Sequence, residues 1–222
     1  MRYFLFPLLL FIGCTAPLTD SATDSADRPQ SGFIASEYNA LSGLNMGPRE
    51  TGSYLFNGIC DDQDFFSSIA PVSSDGLVSS DKKHTIFRYY QTYRDVPVWN
   101  TKIDILWDNK FRTPVRASLL IVDPTKFLNL ETEAVISPDE ALIKIEDLFL
   151  AADKAENYEI AEPTSIYYYH PATNQWHYGW GSTVISHHSG YSFHSGELIL
   201  FNLVYTIIID AITGDQLLVE FD

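Results

Sequence analysis

The sequence has few cysteines and few basic residues, and its N-terminal apolar run is too short to cross a membrane. The 222 residues include 2 Cys, and 14 Lys and Arg stand against 29 Asp and Glu, for a net charge of −15. Such an acidic surface repels nucleic acid and gains nothing from anionic lipid headgroups. Nucleic-acid binding and electrostatic attachment to a membrane are therefore excluded, whereas 45% hydrophobic residues predict a substantial core.

The chain opens with a segment that has the layout of an export signal. Arg2 supplies a positive charge, and Tyr3–Ile12 is almost wholly apolar but much shorter than the roughly 20 residues that a transmembrane helix needs. Gly13 and Cys14 follow, in a pattern that resembles the bacterial lipobox. The resemblance implies that Met1–Gly13 is removed as a signal peptide and that Cys14 is diacylated. The alternative is an ordinary secretory signal followed by an incidental cysteine.

Residues 14–32 predict a disordered tether. They are rich in Thr, Ser, Ala and Asp and have no apolar periodicity, so they cannot offset the entropy lost on ordering. With Cys14 as lipid anchor, the predicted location is the bacterial cell envelope, and the outer membrane if the host has one, because Thr15 rather than Asp follows the cysteine. Lipidation would leave Cys60 without a partner in the chain, which excludes a disulfide framework for the monomer.

The remaining residues predict one substantial domain or two small ones. Residues 33–83 read as an irregular N-terminal segment, with a short helix over Ile34–Leu44 as its one regular element. In residues 84–135 the pattern becomes that of strands, and Val98–Trp107 alternates between apolar and polar positions with a period of two. Three strands are predicted there: Ile86–Arg94, Val98–Trp107 and Val115–Val122.

Residues 136–222 predict one long helix followed by strands. Ser137 is a suitable N-cap, Pro138 suits the first helical position, and Glu140 completes a capping box for a helix that continues to Ala152. His187–Gly196 is predicted to be a loop, among strands over Ser165–His170, Gln175–Ile185, Glu197–Asp210 and Gln216–Phe221. The predicted fold class is α+β, with antiparallel sheets and one long helix packed on the C-terminal sheet.

Two segments resemble parts of secreted proteases. The stretch Phe87–Trp99 is similar to the fungalysin/thermolysin propeptide (FTP) motif, in which a strand leads through a Val-Pro-Val turn into the next strand. The later helix and the Asp-Ala-Ile-Thr-Gly turn at residues 210–214 resemble a PepSY-type domain, which gives FTP-like strands in 84–135 and a PepSY-like helix and sheet in 136–222. The residues that carry the resemblance are Arg88, Tyr89, Gln91, Val96, Pro97, Val98, Asp210, Thr213 and Gly214.

The resemblance implies a propeptide-like role without a protease. In the related enzymes the propeptide assists folding of the protease and inhibits it, but this sequence has no His-Glu-x-x-His zinc motif. We therefore expect no enzyme activity, and action in trans on a separate exported partner such as a metalloprotease. Asp95 stands where the family has Gly, so a turn that requires positive φ there would be strained. The motif residues are expected to be structural.

Other chemistry has weak support in the sequence. His187, His188 and His194 share the predicted loop and are the only candidates for a metal site, but their spacing matches none, so no metal or cofactor is expected. No Gly-x-Ser-x-Gly motif and no phosphate-binding glycine loop is present.

Two functional hypotheses remain open from the sequence. The first is a non-catalytic, lipid-anchored envelope protein whose propeptide-like domain binds another exported protein and inhibits or chaperones it. The alternative is a structural or ligand-binding envelope lipoprotein with no connection to proteases.

Overall fold

A computed structural model describes residues 32–60, 67–153, 155–191 and 198–221. The predicted signal peptide, Cys14, nearly all of the tether and His194 lie outside the described residues. The chain forms two compact units. Unit 1 extends to Asn129 and also takes Pro171–Trp176, whereas unit 2 comprises Leu130–His170 and His177–Asp222.

Unit 1 is built on a seven-stranded antiparallel sheet. The strand order is first, seventh, sixth, fourth and second, and the third and fifth strands both pair with the fourth. Its strands are β1 (Phe33–Tyr38), β2 (Ser67–Pro71), β3 (Leu77–Ser80), β4 (His84–Tyr93), β5 (Val96–Pro97), β6 (Lys102–Asp108) and β7 (Thr113–Val122).

The alternation predicted for the second strand is confirmed within β6. Ile103 and Ile105 are fully buried, whereas Lys102 and Asp104, which alternate with them, lie on the other face. The strand begins four residues later than predicted, because the backbone turns before it. Asn100 has a φ of 63°, and the Thr101 N–H donates to the Val98 carbonyl at 3.4 Å.

The helix predicted over Ile34–Leu44 is wrong. Residues 33–38 form β1, which pairs antiparallel with β7 from Phe33 opposite Val122 to Tyr38 opposite Ala117. The helix in this part of the chain is α1 (Pro48–Ile59). Its sequence includes Gly52 and Gly58 and so has a low intrinsic helix propensity, which hid it from the sequence pattern.

Packing on the sheet is what stabilises α1. Leu55 and Phe56 are buried in one cluster with the inward residues of β4, β6 and β7. Gly52 lets the helix approach closely, because a Cβ at that position would lie 3.0 Å from Ile69 Cδ1. At the N-terminus the Glu50 carboxylate accepts a hydrogen bond from the Gly47 N–H at 2.9 Å.

Unit 2 contains a five-stranded antiparallel sheet. Its strands are β8 (Tyr158–Ile160), β9 (Thr164–His170), β10 (Gln175–Tyr191), β11 (Leu198–Asp210) and β12 (Gln216–Phe221). The order is β12, β11, β10 and β8, with β9 also paired to β10. The loop predicted over His187–Gly196 is wrong in its first part, because β10 continues to Tyr191 in unbroken register with β11.

The predicted capping of the second helix is confirmed in α2 (Pro138–Ala152). Ser137 is the N-cap, its hydroxyl accepts from the Glu140 N–H, and the Glu140 carboxylate accepts from the Ser137 N–H at 2.9 Å. Three residues at helical spacing are fully buried against β10 and β11: Ala141, Ile145 and Phe149.

The predicted fold class is wrong. The described residues are mostly antiparallel strands in two sheets, and they contain two α-helices, α1 and α2, rather than one long helix on a C-terminal sheet. The error arises in residues 33–83, where polar residues and glycines concealed three strands and a helix. Neither helix in the described ranges is long and apolar enough to cross a membrane.

Asp95 lies in the turn between β4 and β5, where its backbone has a positive φ. Arg94 and Asp95 have φ values of 49° and 65°, the left-handed conformation of a two-residue type I′ hairpin turn. Because glycine adopts this conformation without a Cβ penalty, we expect Asp95→Gly to raise the free energy of unfolding by about 0.5–1 kcal/mol, measured by urea denaturation.

The control for this substitution is Glu131→Gly, at an exposed loop position that lacks positive φ. It should leave stability unchanged or lower it. An Asp95→Gly protein no more stable than the wild type would show that the turn is unstrained.

Candidate functional site

A partly buried carboxylate at the end of α2 accepts hydrogen bonds from several polar side chains of unit 2. Asp153 is the C-cap of α2, and its N–H donates to the Phe149 carbonyl at 2.7 Å. A negative charge at a helix C-terminus is unfavourable, because the helix dipole already places partial negative charge there. The carboxylate therefore needs hydrogen-bond donors from elsewhere in the fold.

Three side chains of the neighbouring strands supply those donors. Asp153 Oδ2 lies 2.8 Å from Ser186 Oγ, 3.0 Å from His188 Nε2 and 3.0 Å from Tyr205 Oη. Ser186 and His188 alternate along β10 and so share a face, and Tyr205 comes from β11 beside them. We call these four residues the Asp153 cluster. The His188 ring is also stacked on Phe201, with centroids 5.5 Å apart.

The hydrogen bonds determine the protonation of the cluster. Burial raises the pKa of Asp153, but the hydrogen bonds from Ser186, His188 and Tyr205 outweigh it, so the pKa lies below its usual value. The pKa of Tyr205 is raised, first by burial and then by its hydrogen bond to the Asp153 carboxylate. The cluster at neutral pH therefore holds a carboxylate anion and a neutral phenol.

The cluster contains Ser, His and Asp but does not have the geometry of a catalytic triad. In a triad the carboxylate binds one ring nitrogen of the histidine and the serine binds the other. Here Ser186 Oγ, at 2.6 Å, and Asp153 Oδ2 both contact His188 Nε2. Ser186 is fully buried, and its hydroxyl donates to Asp153, so the arrangement stabilises an anion rather than activating a nucleophile.

The structure does not bring the candidate metal-binding histidines together. His187 and His188 are consecutive residues of β10 and therefore lie on opposite faces of the sheet. His187 Nδ1 lies 2.8 Å from Asn202 Oδ1, and His187 Nε2 lies 3.7 Å from Glu159. His194 is outside the described residues, and within them no group of three or more His, Cys, Asp or Glu is placed to hold a metal ion.

The residues of the FTP-like motif lie in the β4–β5 hairpin of unit 1. Arg88 pairs across the sheet with Asp104 of β6 through two hydrogen bonds of 2.6 and 2.9 Å. The pKa of Arg88 is raised by that contact. Tyr89 and Val98 are buried, whereas Val96 and Pro97 form β5 and pair with the end of β4.

Gln91 has the most specific contacts of the motif. It is fully buried, and its side-chain amide donates to the Val122 carbonyl at 2.9 Å while its Oε1 accepts from the Val122 N–H at 2.7 Å. Its own N–H donates to Thr101 Oγ1 at 3.0 Å. Gln91 thus connects β4 to the end of β7 at the point where β6, which separates the two strands, has not yet begun.

The residues of the PepSY-like motif form the turn between β11 and β12 in unit 2. Asp210 Oδ1 accepts from the N–H groups of Ile212 and Thr213 at 2.8 and 2.9 Å, and its Oδ2 lies 2.7 Å from His177 Nδ1. Burial raises the pKa of Asp210, but the hydrogen bonds, led by that from Thr213, lower it overall. Gly214 has a φ of 75°, which only glycine adopts freely.

The Asp153 cluster could hardly be predicted from the sequence. Ser186 and Asp153 are 33 residues apart, and Tyr205 is 52 residues from Asp153. The available signal was a carboxylate directly after the apolar helix pattern, at the end where the dipole disfavours it. His177 was also missed, because its partner Asp210 was identified only as part of a turn.

The Asp153 cluster generates a pH-dependent prediction. A folded-state pKa below the unfolded value adds stability above the unfolded pKa and loses it as the pH falls through the folded pKa. Asp153→Asn should therefore destabilise the protein clearly at pH 7 and much less near pH 3, measured by urea denaturation at both values. Asp147→Asn, at an exposed residue of α2, is the matched control and should show little effect at either pH.

An equal cost of Asp153→Asn at both pH values would contradict this account, because it would mean that the folded protein does not favour the carboxylate over the acid.

Comparisons with known proteins leave the family of the chain open. No family model matches the sequence, and no curated protein matches it. Among solved structures, the C-terminal domain of YpeB from Bacillus megaterium is similar over 82% of this chain and 67% of that one, with 14% identity and a TM-score of 0.38. A likeness of this size establishes neither family nor function, so the relationship to propeptide and PepSY domains stays a prediction from the sequence.

Proposed function

We propose that this chain is a non-catalytic, lipid-anchored protein of the bacterial envelope that binds another exported protein. The observation that carries the non-catalytic assignment is the Asp153 cluster. Its serine is fully buried and donates to the carboxylate, and its histidine contacts both groups through one nitrogen. These contacts stabilise a partly buried carboxylate.

The contacts of the motif residues support a role in binding rather than reaction. Arg88, Gln91 and Asp210 each direct their polar atoms to partners inside their own unit. These residues maintain strand pairing and turns, which leaves contact with other molecules to the outer surfaces. A propeptide acts in the same manner, because it presents a folded surface to a protease.

The proposed partner is an exported metalloprotease, which the chain would inhibit or help to fold. The resemblance of Phe87–Trp99 and of the turn at residues 210–214 to propeptide and PepSY sequences supports this choice. Because the chain carries a net charge of −15, we expect the contact surface of the partner to be basic.

The anchor is tested by replacing its acceptor. We expect the wild-type chain, produced in a bacterial host with a lipoprotein pathway, to incorporate labelled fatty acid and to fractionate with membranes. Cys14→Ser should abolish both, because it removes the thiol that takes the diacylglyceryl group. Cys60→Ser is the matched control and should behave as the wild type; labelling that survives Cys14→Ser would disprove the anchor.

Partner binding is tested with a form of the mature chain that begins at residue 15 and so lacks the lipidated cysteine. We expect it to bind at least one thermolysin-like protease of its host in solution, and either to reduce peptide hydrolysis or to raise the yield of active protease after dilution from denaturant. Surface-immobilised protease and a peptide-cleavage assay measure the two effects.

The control is an unrelated folded domain of the same size and net charge, which should neither bind nor change the yield. If the mature chain leaves binding, activity and refolding unaffected for every such protease of the host, the metalloprotease assignment fails. The structural or ligand-binding alternative would then be preferred.

A further inference from the structure

The outer face of α2 exposes apolar side chains around an acidic residue. Ile143 is 60% exposed and Leu150 is 41% exposed, although α2 is otherwise well packed. Ile143, Asp147 and Leu150 are spaced by four and three residues and so form one continuous line along the helix. We call this line the α2 stripe. It lies opposite Ala141, Ile145 and Phe149, the residues that α2 buries in the core of unit 2.

The part of the chain that contains the α2 stripe is strongly negative. Residues 130–222 contain 15 Asp and Glu against 2 Lys and no Arg, so they carry −13 of the net −15 of the chain. Residues 1–129 are nearly balanced, with 14 acidic and 12 basic side chains. The stripe therefore belongs to the part of the protein that holds almost all of the net charge.

Lys144 of α2 does not neutralise the stripe. Lys144 is the one basic residue in the described part of unit 2, and its side chain lies along the turn after β11, where its Cε would be 2.9 Å from a Cβ placed on Gly214. Around the helix axis Lys144 is about 100° from Ile143 and about 60° from Asp147, and its side chain forms no ion pair with Asp147 within the described residues. Within the described residues Asp147 has neither a hydrogen bond nor an ion pair.

We infer that the α2 stripe is a docking surface for a cationic, amphipathic segment of the partner protein. This inference rests on the proposed binding function. Charge complementarity favours this occupant over the others. Residues 130–222 of each copy carry a net charge of −13, so two copies of the chain would repel each other at this surface. An anionic membrane would be repelled for the same reason. A segment rich in Lys or Arg is attracted, and its apolar residues cover Ile143 and Leu150.

The spacing of the stripe specifies the partner segment further. Ile143 and Leu150 are seven residues apart, which corresponds to about 10 Å along the helix, with Asp147 between them. A helical partner matches this pattern when Leu or Ile residues recur at i and i+7 and Lys or Arg occupies i+3 or i+4. Each apolar contact then flanks a charge pair and shields it from water.

The test uses a fluorescein-labelled helical peptide with Leu at i and i+7 and Lys at i+3 and i+4, titrated with the full mature chain. Fluorescence anisotropy measures the dissociation constant. We expect Ile143→Gln and Asp147→Lys each to weaken binding by about fivefold to tenfold, because each removes one half of an apolar and charged contact. Both positions are exposed, so circular dichroism should show an unchanged fold.

The matched controls make the same kinds of substitution in unit 2 at positions outside the stripe. Val135→Gln changes an apolar residue that is 71% exposed but off the stripe, and Glu131→Lys makes the same charge change as Asp147→Lys in a loop before α2. Both controls should bind the peptide within about twofold of the wild type. A peptide with Glu in place of Lys should not bind.

Equal binding by the stripe variants and the wild type would overturn the inference, as would equal binding of the Glu peptide. Concentration-dependent dimers that Ile143→Gln abolishes would identify a second copy as the occupant and would also overturn it. The protease partner is tested with the same variants: a protease that binds Ile143→Gln and Asp147→Lys at full strength disproves the stripe but leaves the proposed function intact.

Discussion

Unit 1 depends on a hydrogen-bonded pair between the Gln91 side-chain amide and the backbone of Val122. The amide donates and accepts as a peptide group does, so it extends the sheet where β6 does not reach. Without it, the N–H and the carbonyl of Val122 would both be buried without partners, and each unsatisfied group costs about 1–3 kcal/mol. The glutamine of the resembled motif therefore has a structural reason that requires no bound partner.

In unit 2 the groups that need hydrogen-bond partners are two carboxylates. Asp210 is buried and Asp153 is partly buried, and each is surrounded by donors that keep it ionised. Asp153 receives side-chain donors from two strands, while Asp210 receives backbone N–H groups of its own turn and the His177 ring. Because both pKa values are lowered, both carboxylates stabilise the fold above acidic pH and neither is available as a proton donor at neutral pH.

Local patterns in the sequence predicted those elements in which the capping residues and the spacing of apolar residues indicate the same structure. The helix α2 has a capping box and apolar residues at helical spacing, and β12 matches its predicted bounds of Gln216–Phe221. The helix α1 lacks a side-chain cap and contains two glycines, so its packing partners decide its structure. Strand β10 continues past Ile185 through residues of low apolarity because its register with β11 supplies the backbone hydrogen bonds.

The candidate site was less predictable than the fold, because it is made by contacts between distant parts of the chain. The resemblance identified Gln91 and Asp210 by type and order, but nothing near either residue in the sequence indicates Val122 or His177 as its partner. The Asp153 cluster requires the pairing of β10 with β11 and the position at which α2 ends. Only the unfavourable charge at the helix C-terminus was visible beforehand.

The acidic residues of unit 2 divide into two groups with different physical consequences. Asp153 and Asp210 are satisfied by internal donors, so the fold accounts for their charge. Asp147, on the exposed side of α2, has no such donor within the described residues. Like charges gathered on one unit repel one another and oppose its compact state. A surface with nearly equal numbers of acidic and basic side chains, as in residues 1–129, would be hydrated equally well. A concentrated negative charge beside exposed Ile143 and Leu150 is instead what recognition of a basic, partly apolar protein surface requires.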